Sequence, residues 1–274
     1  MLQDLAYGRL ENEYRPLPPR DDDCVLCFRG RDVLLHRHGD DTLTLPTADL
    51  FPHPLRYAFR LHDRNFYLFS GESPDPAAPF AWEPVRTLRQ SVSMDICYAI
   101  MTGWHLYNWY KNNRFCGCCG AETVHDDAEW MVRCPSCGNM IFPRISPAVI
   151  VAVTSGDRLL LSRYAGRGYT NYALLAGYTE IGETIEQTVH REVFEEVGLR
   201  VKNLRYYKSQ PWGVDGNILM GFFCDLDGDD TISIDETELS HAGWYDRHNL
   251  PAQDDGFSLT REMIRIFGEG MEPK

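Results

Sequence analysis

The sequence predicts a mixed α/β protein (α+β or α/β) built from three consecutive regions, and three patterns support this interpretation. Short segments that alternate apolar and polar residues are typical of strands, and longer segments with apolar residues three or four positions apart are typical of helices. A compact segment rich in cysteine and glycine lies between them. We therefore expect an N-terminal mixed α/β domain at residues 1–112, a cysteine-rich domain at 113–145 and a further α/β domain at 146–274.

The first region contains strand and helix patterns but no motif with a recognisable chemistry. Strands are expected at residues 32–35, 57–61 and 65–69, and the proline-rich stretch 73–84 is expected to be a loop. Residues 87–110 place Val92, Ile96, Ile100 and Leu106 near helical spacing, which predicts a helix.

The composition excludes several classes of protein. Hydrophobic residues make up 43% and charged residues 24%, which is typical of a globular chain and not of a disordered or fibrous one. The 27 basic and 40 acidic residues give a net charge of −13, which disfavours a protein that grips long nucleic acid by its backbone. No apolar run reaches the ~20 residues of a membrane span, and no secretory signal is seen, so we expect a cytoplasmic protein without membrane contact.

Two Cys-x2-Cys pairs, separated by fourteen residues, predict a structural zinc site. A tight turn lets both sulfurs of one pair face the same ion, and glycine and proline lie in or beside both turns. Four thiolates leave no open position for a substrate, and the ion would supply much of the folding energy of so short a segment. The predicted Zn²⁺ ligands are Cys116, Cys119, Cys134 and Cys137.

Other cysteines fit a structural interpretation. Cys24 and Cys27 form a third pair, but no second pair lies nearby to complete a metal site, and the segment around them resembles a strand. Cys118 lies between two predicted ligands without being needed as one. A zinc ribbon also suits a non-catalytic binding module for nucleic acid or protein, and this alternative stays open at this point.

The strongest signal is an acidic helix predicted at residues 184–197. Thr184 and Gln187 have the spacing of a capping box, and Gly198 suits the helix end. Valines recur every fourth residue on one face, and three glutamates occupy an arc of about 100° beside it. These carboxylates repel one another unless a divalent cation such as Mg²⁺ or Mn²⁺ offsets their charge. A solvated acidic face is the alternative, but it does not explain a glycine and a glutamate at fixed distances upstream.

The whole pattern resembles the Nudix box of the Nudix hydrolases. It reads Gly177-x5-Glu183-x7-Arg191-Glu192-Val193-x-Glu195-Glu196-x-Gly198-Leu199, and every fixed position of the motif is met. Residue patterns predict strands at 148–153, 158–162 and 217–225 and helices at 184–197 and 259–267. The resemblance implies that this region forms a Nudix α/β/α sandwich. It also implies a hydrolase that cleaves a nucleoside diphosphate linked to another group.

A four-cysteine ribbon directly before a Nudix domain is similar to the NADH pyrophosphatase (NAD diphosphatase) family. That family carries a motif SQPWPFPxS after the box, and here Ser209-Gln210-Pro211-Trp212 matches, whereas Gly213-Val214-Asp215-Gly216-Asn217 does not. Two glycines replace a stiff proline-rich half, so the loop should be looser. The resemblance implies substrate contacts at Gln210, Pro211, Trp212, Gly213, Val214, Asp215, Gly216, Asn217, Phe142, Tyr178 and Thr260.

The resemblance also implies the catalytic groups. Catalytic roles fall to Glu183, Arg191, Glu192, Glu195 and Glu196, with Glu183 orienting Arg191 and Glu195 serving as a metal ligand or as the base. The Mg²⁺ or Mn²⁺ ligands are Ala176 through its carbonyl, Glu192, Glu195, Glu196 and Glu238. A solvent-exposed loop carboxylate is the alternative for Glu238. Arg163 and Arg167 are candidate phosphate contacts by residue type alone, with surface solvation as the alternative.

The expected reaction is hydrolysis of the pyrophosphate of NAD(H) to NMN(H) and AMP. Members of the resembled family are homodimers and also remove NAD caps from RNA, so a second copy and a capped 5′ end are implied partners. Because the SQPW continuation differs, a Nudix hydrolase acting on ADP-ribose, a dinucleoside polyphosphate or coenzyme A remains an alternative.

Overall fold

The computed structural model describes residues 1–5, 8–52, 54–72, 74–90, 93–166, 171–251 and 256–274. Two of the residues considered above, Val92 and Arg167, lie outside this part of the chain. The chain divides into two compact units. The N-terminal unit comprises residues 2–145 and 212–216, and the C-terminal unit comprises Met1 and residues 146–211 and 217–274.

The N-terminal unit contains two four-stranded sheets and one long helix, α1, which spans Met94–Asn112. One sheet has the strand order β1-β6-β7-β2, and the other joins β3, β4 and β5 with β8 paired to β4. The strands are β1 Leu10–Glu11, β2 Cys24–Leu26, β3 Phe28–Arg29, β4 Asp32–Arg37, β5 Leu43–Thr44, β6 Leu55–Leu61, β7 Arg64–Phe69 and β8 Ala81–Pro84. The three strands expected from alternation fall within β4, β6 and β7.

Two expectations for this unit are wrong. Residues 81–84 were expected in a loop, but they form β8, which pairs antiparallel with β4 from Asp32 to Leu35. A strand of four residues that ends in proline has no sequence pattern that distinguishes it from a loop. It is a strand only because β4 provides the partners for its backbone hydrogen bonds. The helix expected from residue 87 begins at Met94, and Val85–Gln90 form a 3-10 helix instead.

The cysteine-rich segment forms a small antiparallel sheet of three two-residue strands. Its order is β11-β10-β9, and the strands are β9 Val124–His125, β10 Val132–Arg133 and β11 Met140–Ile141. So short a sheet buries little apolar surface, so its stability must come from another source.

The C-terminal unit is built on one six-stranded mixed sheet and two helices. The strand order is β15-β16-β12-β13-β17, with β14 paired to β12. The elements are β12 Ser146–Ser155, β13 Arg158–Tyr164, β14 Leu175–Tyr178, α2 Ile185–Val197, β15 Val201–Trp212, β16 Asn217–Leu226, β17 Leu239–Asp246 and α3 Leu259–Gly268.

Alternate side chains of β12 serve two separate cores, and this makes the unit a sandwich. Val149, Val151 and Val153 pack with the valines of α2. Ile150 and Ala152 point to the opposite face and pack with residues of α3. Because successive strand residues point to opposite faces, the two helices cover the two sides of the sheet. The expected α/β/α sandwich is confirmed.

No helix in the part of the chain that the structure describes is long and apolar enough to cross a bilayer.

Candidate functional site

Helix α2 begins and ends where its sequence predicts. The side chain of Thr184 accepts a hydrogen bond from the backbone of Gln187, and the Gln187 side chain accepts one from the backbone of Thr184, which completes a capping box. Gly198 ends the helix with φ +71°, a left-handed conformation that favours glycine. These two caps define the ends of the helix that carries the glutamates.

Arg191 is the centre of the acidic face of α2. Its guanidinium donates to Glu183 at 2.6 and 2.9 Å, to Glu192 at 2.7 Å and to Glu195 at 2.9 Å. It also donates to the backbone carbonyl of Tyr178 at 2.9 Å. One cation therefore joins the end of β14, the loop before α2 and two turns of the helix. These charge-assisted contacts raise the pKa of Arg191.

Glu183 orients Arg191, as the sequence predicts, and also organises its own loop. Its carboxylate accepts from the backbone of Glu180 and from the hydroxyl of Thr188, each at 3.0 Å. The bonds from Arg191 lower the pKa of Glu183 to about 2, with the other donors adding to the effect. Sequence reasoning overlooked Thr188, which follows Glu183 by five positions and lies on the buried side of the first turn of α2.

Gly177 is required because the carboxylate of Glu192 lies directly against its backbone. A Cβ atom built on this residue would lie 1.9 Å from the carboxyl carbon of Glu192, well inside van der Waals contact. The backbone of β14 therefore supports the Glu192 carboxylate directly, and no larger residue fits without displacing it. This contact is the physical reason for a glycine at the start of the box.

Two glutamates of α2 are buried and a third is exposed. Glu192 and Glu196 are 8% and 2% exposed, whereas the side chain of Glu195 is 57% exposed. Burial raises the pKa of Glu192, and the charges of Glu195 and Glu238 act in the same direction. Glu196 accepts a bond of 3.4 Å from the backbone of Ala176. Glu238 is exposed and directly precedes β17.

The donor chemistry of this face suits a hard divalent cation. Carboxylate oxygens are the ligands that Mg²⁺ and Mn²⁺ prefer, and buried carboxylates gain most from a nearby positive charge. In the structure, Arg191 supplies that charge to Glu192 and Glu195. An ion bound by these two residues would therefore compete with Arg191 for their oxygens.

The four predicted zinc ligands converge. Among the described residues, Cys116, Cys119, Cys134 and Cys137 form a group whose sulfurs all lie within 4.8 Å of one another. The sulfur pairs Cys116–Cys137 and Cys119–Cys134 are 3.6 and 3.4 Å apart. Backbone N–H groups donate to two of these sulfurs, and the bond from Cys118 helps to lower the pKa of Cys116 to about 6. A deprotonated thiol is the form that binds zinc.

The remaining cysteines lie elsewhere. Cys118 is exposed, and its backbone donates to the sulfur of Cys116. Cys24 and Cys27 are buried in and beside β2, and burial raises the pKa of Cys27 to about 12. A buried thiol with a raised pKa behaves as a small apolar side chain.

Gln210, expected at the substrate, holds the start of α3. It is fully buried in β15, its amide nitrogen donates to the carbonyl of Phe257 at 2.9 Å and its oxygen accepts from the backbone of Leu259 at 2.8 Å. Both ends of the amide are therefore bonded to the protein. Pro211 follows it and is exposed.

Residues 212–216 form a tight turn in the N-terminal unit. Trp212 is buried and donates to Asp215 at 3.1 Å, and the carbonyl of Val214 accepts from the indole of Trp104 at 3.3 Å. A Cβ on Gly213 would lie 2.1 Å from the carbonyl oxygen of Met101, so this glycine allows the turn to pack on α1. The glycines predicted a flexible loop, but packing on α1 and these hydrogen bonds hold residues 212–216 in one conformation.

The other expected substrate residues lie in both units. In the C-terminal unit, buried Asn217 donates to the hydroxyl of half-exposed Tyr178 at 3.2 Å, and Thr260 lies in the first turn of α3. Phe142 follows β11 in the N-terminal unit and is half-exposed. The guanidinium carbon of Arg163 lies 4.0 Å from the centre of the Tyr172 ring. One face of the guanidinium is therefore covered by this ring.

Comparisons with known domain families match two parts of the chain. The NUDIX domain matches residues 144–266, which include β14, α2 and all the acidic side chains described above. The NADH pyrophosphatase zinc ribbon domain matches residues 111–142, which include the four clustered cysteines. A crystal structure of a NUDIX hydrolase from Nitrosomonas europaea shares 24% identity over 57% of this chain and 91% of its own, with a TM-score of 0.49.

Curated relatives align with about two thirds to three quarters of this chain. A protein named NAD-capped RNA hydrolase NudC from Shigella dysenteriae is 37% identical over 65% of this chain and 70% of its own length. Proteins of the same name from Chromobacterium violaceum and Actinobacillus succinogenes are 37% and 38% identical, and the aligned parts cover 73% and 75% of this chain and 76% and 80% of theirs.

Replacement of Cys134 by serine is expected to abolish zinc binding and to destabilise the cysteine-rich segment, because three thiolates and a hydroxyl bind zinc far less tightly. Zinc content by mass spectrometry and urea unfolding would measure both effects. Cys118→Ser is the matched control, since this exposed cysteine lies outside the cluster, and it should keep one zinc per chain. A Cys134→Ser protein with normal zinc content and stability would rule out a structural role.

Replacement of Gly177 by alanine is expected to cost about 1–3 kcal/mol of unfolding free energy, because the added methyl group overlaps the Glu192 carboxylate. Urea unfolding followed by circular dichroism would measure this cost. Gly39→Ala is the control, since a Cβ there meets no atom within 4 Å, and it should change stability by less than about 0.5 kcal/mol. Equal stability of the two variants would contradict the close approach.

Proposed function

The chain belongs to the NudC family of Nudix hydrolases, and on this basis we propose that it hydrolyses the pyrophosphate of NAD(H) to NMN(H) and AMP. One observation carries the proposal most strongly: a four-cysteine ribbon and a complete glutamate face held by Arg191 occur in the same chain. The glutamates of α2 are the groups that diphosphate cleavage requires. The ribbon matches the zinc ribbon domain of NADH pyrophosphatases, which favours NAD(H) over other diphosphate substrates.

We extend the proposal to the NAD cap of RNA, because the curated relatives are named for that substrate. The scissile pyrophosphate is the same in free NAD and in the cap. A net charge of −13 disfavours contact with a long RNA backbone, but a 5′ end requires only a small cationic surface.

The metal in this proposal is Mg²⁺ or Mn²⁺. Glu192, Glu195 and Glu196 would hold it, together with the carbonyl of Ala176 and the carboxylate of Glu238. When bound, such a cation offsets the charge of the pyrophosphate and lowers the pKa of a bound water. A bound cation would compete with Arg191 for Glu192 and Glu195. Arg191 would then keep its two hydrogen bonds to Glu183.

The protein side of the reaction requires a base and a fixed geometry. We propose Glu195 as the group that takes the proton from the attacking water, because it is the most exposed of the three box glutamates and water reaches it directly. Glu192 and Glu196 are buried and fixed by neighbouring backbone, which suits ligands that must not move. Glu183 and Arg191 position the helix face.

The substrate contacts are proposed at Trp212, Gly213, Val214, Asp215, Gly216, Asn217, Phe142, Tyr178 and Thr260. Among these, Phe142 and Tyr178 present half-exposed aromatic rings suited to a flat nicotinamide or adenine ring. Gln210 and Pro211 complete the motif, and Gln210 would act by holding α3 in place.

We further propose three domains at 1–112, 113–145 and 146–274, with Zn²⁺ folding the middle one, and a homodimer as the active form. The cytoplasm is the proposed compartment, because none of the nine cysteines, all in the described part of the chain, forms a disulfide and a reducing environment keeps them in that state.

A different diphosphate substrate is the second candidate. Residues 213–217 depart from the continuation found in the resembled family, which favours an altered preference, for example for ADP-ribose, a dinucleoside polyphosphate or coenzyme A. A non-catalytic binding module would leave the buried glutamates of α2 without a function that offsets the cost of burying them.

Glu196→Gln is expected to lower kcat by several powers of ten, because the amide keeps the shape of the side chain but loses the charge that holds the cation. Steady-state kinetics with NADH and Mg²⁺ would measure the loss, and zinc content should stay unchanged. Glu186→Gln is the matched control, since Glu186 is an exposed glutamate in the first turn of the same helix. Near-normal turnover in Glu196→Gln would refute the assigned metal site.

Product analysis by chromatography would test the substrate. The purified protein is incubated with NADH, NAD⁺, ADP-ribose, diadenosine polyphosphates or coenzyme A, in Mg²⁺, in Mn²⁺ or without added divalent metal. We expect fast, metal-dependent release of AMP and NMNH from NADH. Preference for another compound would keep the Nudix chemistry and change the substrate, whereas no turnover on any compound would favour the binding module.

The homodimer would be tested by size-exclusion chromatography with light scattering. We expect a mass of twice the 31.5 kDa of one chain. A species of 31.5 kDa at micromolar concentration would reject the dimer.

A further inference from the structure

A pocket in the N-terminal unit shares no lining residue with α2. It has a volume of about 470 Å³, within the range of about 300–1,000 Å³ usual for small-molecule sites. All its lining residues belong to that one unit, and they come from the turn at 30–31, from the start of the 3-10 helix Val85–Gln90, from α1 and from the turn 212–216. Its polar and aromatic lining consists of Arg31, Arg86, Trp104, Asn108, Lys111 and Asp215.

The lining carries three cations and one anion, in a chain whose net charge is −13. Arg86 forms an ion pair of 2.9 Å with Asp215. Among the described residues, Arg31 and Lys111 form no ion pair, and both are exposed. Clustering unpaired cations in a concave surface is electrostatically unfavourable unless an anion is attracted there.

We infer that this pocket binds a small phosphate-bearing anion of about the size of a mononucleotide. Arg31 and Lys111 would contact the phosphate, since both lack an acidic partner and guanidinium and ammonium groups are the side chains best suited to phosphate. Asn108 gives the same pocket an amide, and Trp104, which is 8% exposed, contributes a small apolar surface. The uncharged part of such a ligand lies against these two residues.

The pocket is connected to the turn 212–216 through Asp215. One carboxylate oxygen of Asp215 pairs with Arg86, and the other accepts from the indole of Trp212 at 3.1 Å. A bound phosphate competes with Asp215 for Arg86, and the released carboxylate keeps only its bond to Trp212. Occupancy of the pocket therefore acts on a turn where the proposed function places substrate contacts, although anion binding itself does not depend on that proposal.

Isothermal titration of the full chain with AMP, inorganic phosphate and adenosine would test the inference. The titrations are made without added divalent metal, so that the glutamates of α2 repel the phosphate and leave the basic pocket as the binding site. We expect AMP to bind, phosphate to bind more weakly and adenosine not to bind. The double variant Arg31→Ala, Lys111→Ala should weaken AMP binding at least tenfold.

Arg114→Ala is the matched control, because this arginine is equally exposed in the same unit but pairs with Glu122 outside the pocket. It should bind AMP as the parent protein does. Unchanged AMP affinity in the double variant, no measurable AMP binding in the parent protein, or equal binding of adenosine would each overturn the inference. Because no turnover is measured, failure of the NAD(H) proposal would leave these results unaffected.

Asp215→Asn tests the competition. The asparagine oxygen still accepts from Trp212, but the charge that holds Arg86 is gone. AMP binding should become several-fold tighter, and weaker or unchanged binding would show that Asp215 does not compete with the phosphate.

Discussion

Attraction between one guanidinium and three carboxylates is the interaction on which the acidic site depends. Glu183, Glu192 and Glu195 would repel one another, and Arg191 neutralises part of that charge while it binds the carbonyl of Tyr178. The bare backbone of Gly177 serves this arrangement, because it lets the Glu192 carboxylate lie directly against β14. The carboxylates proposed to bind a metal ion are thus held together by a cation of the protein itself.

The two proposed metal sites differ in how they are prepared. In the ribbon, the sulfurs already lie within 4.8 Å of one another, and a sheet of two-residue strands has little else to hold it. The glutamate face belongs to a unit with two apolar cores, so its fold does not depend on an ion. Loss of metal should therefore unfold the ribbon but leave the shape of the sandwich intact.

Local patterns were sufficient for α2, whose caps Thr184 and Gly198 appear as expected, and for the central strands. They were insufficient for β8, because this strand owes its hydrogen bonds to β4, which is distant in sequence. The long strand β15 was not expected either, although its partner β16 follows directly along the chain. The same limit applies to the site. The box spacing predicted the contact between Glu183 and Arg191, whereas the burial of Gln210 depends on the distant start of α3.

The buried amide of Gln210 bears on how enzymes of this kind diverge. The part of the SQPW motif that this chain shares with the resembled family contains Gln210 and Trp212, whose polar atoms bind other parts of the protein. The part that differs, residues 213–217, is a turn followed by the first residue of a strand. That turn is also held in place, because Gly213 packs on α1, Val214 accepts from Trp104 and Asp215 pairs with Arg86. A change of ligand preference in the second part must therefore preserve these contacts.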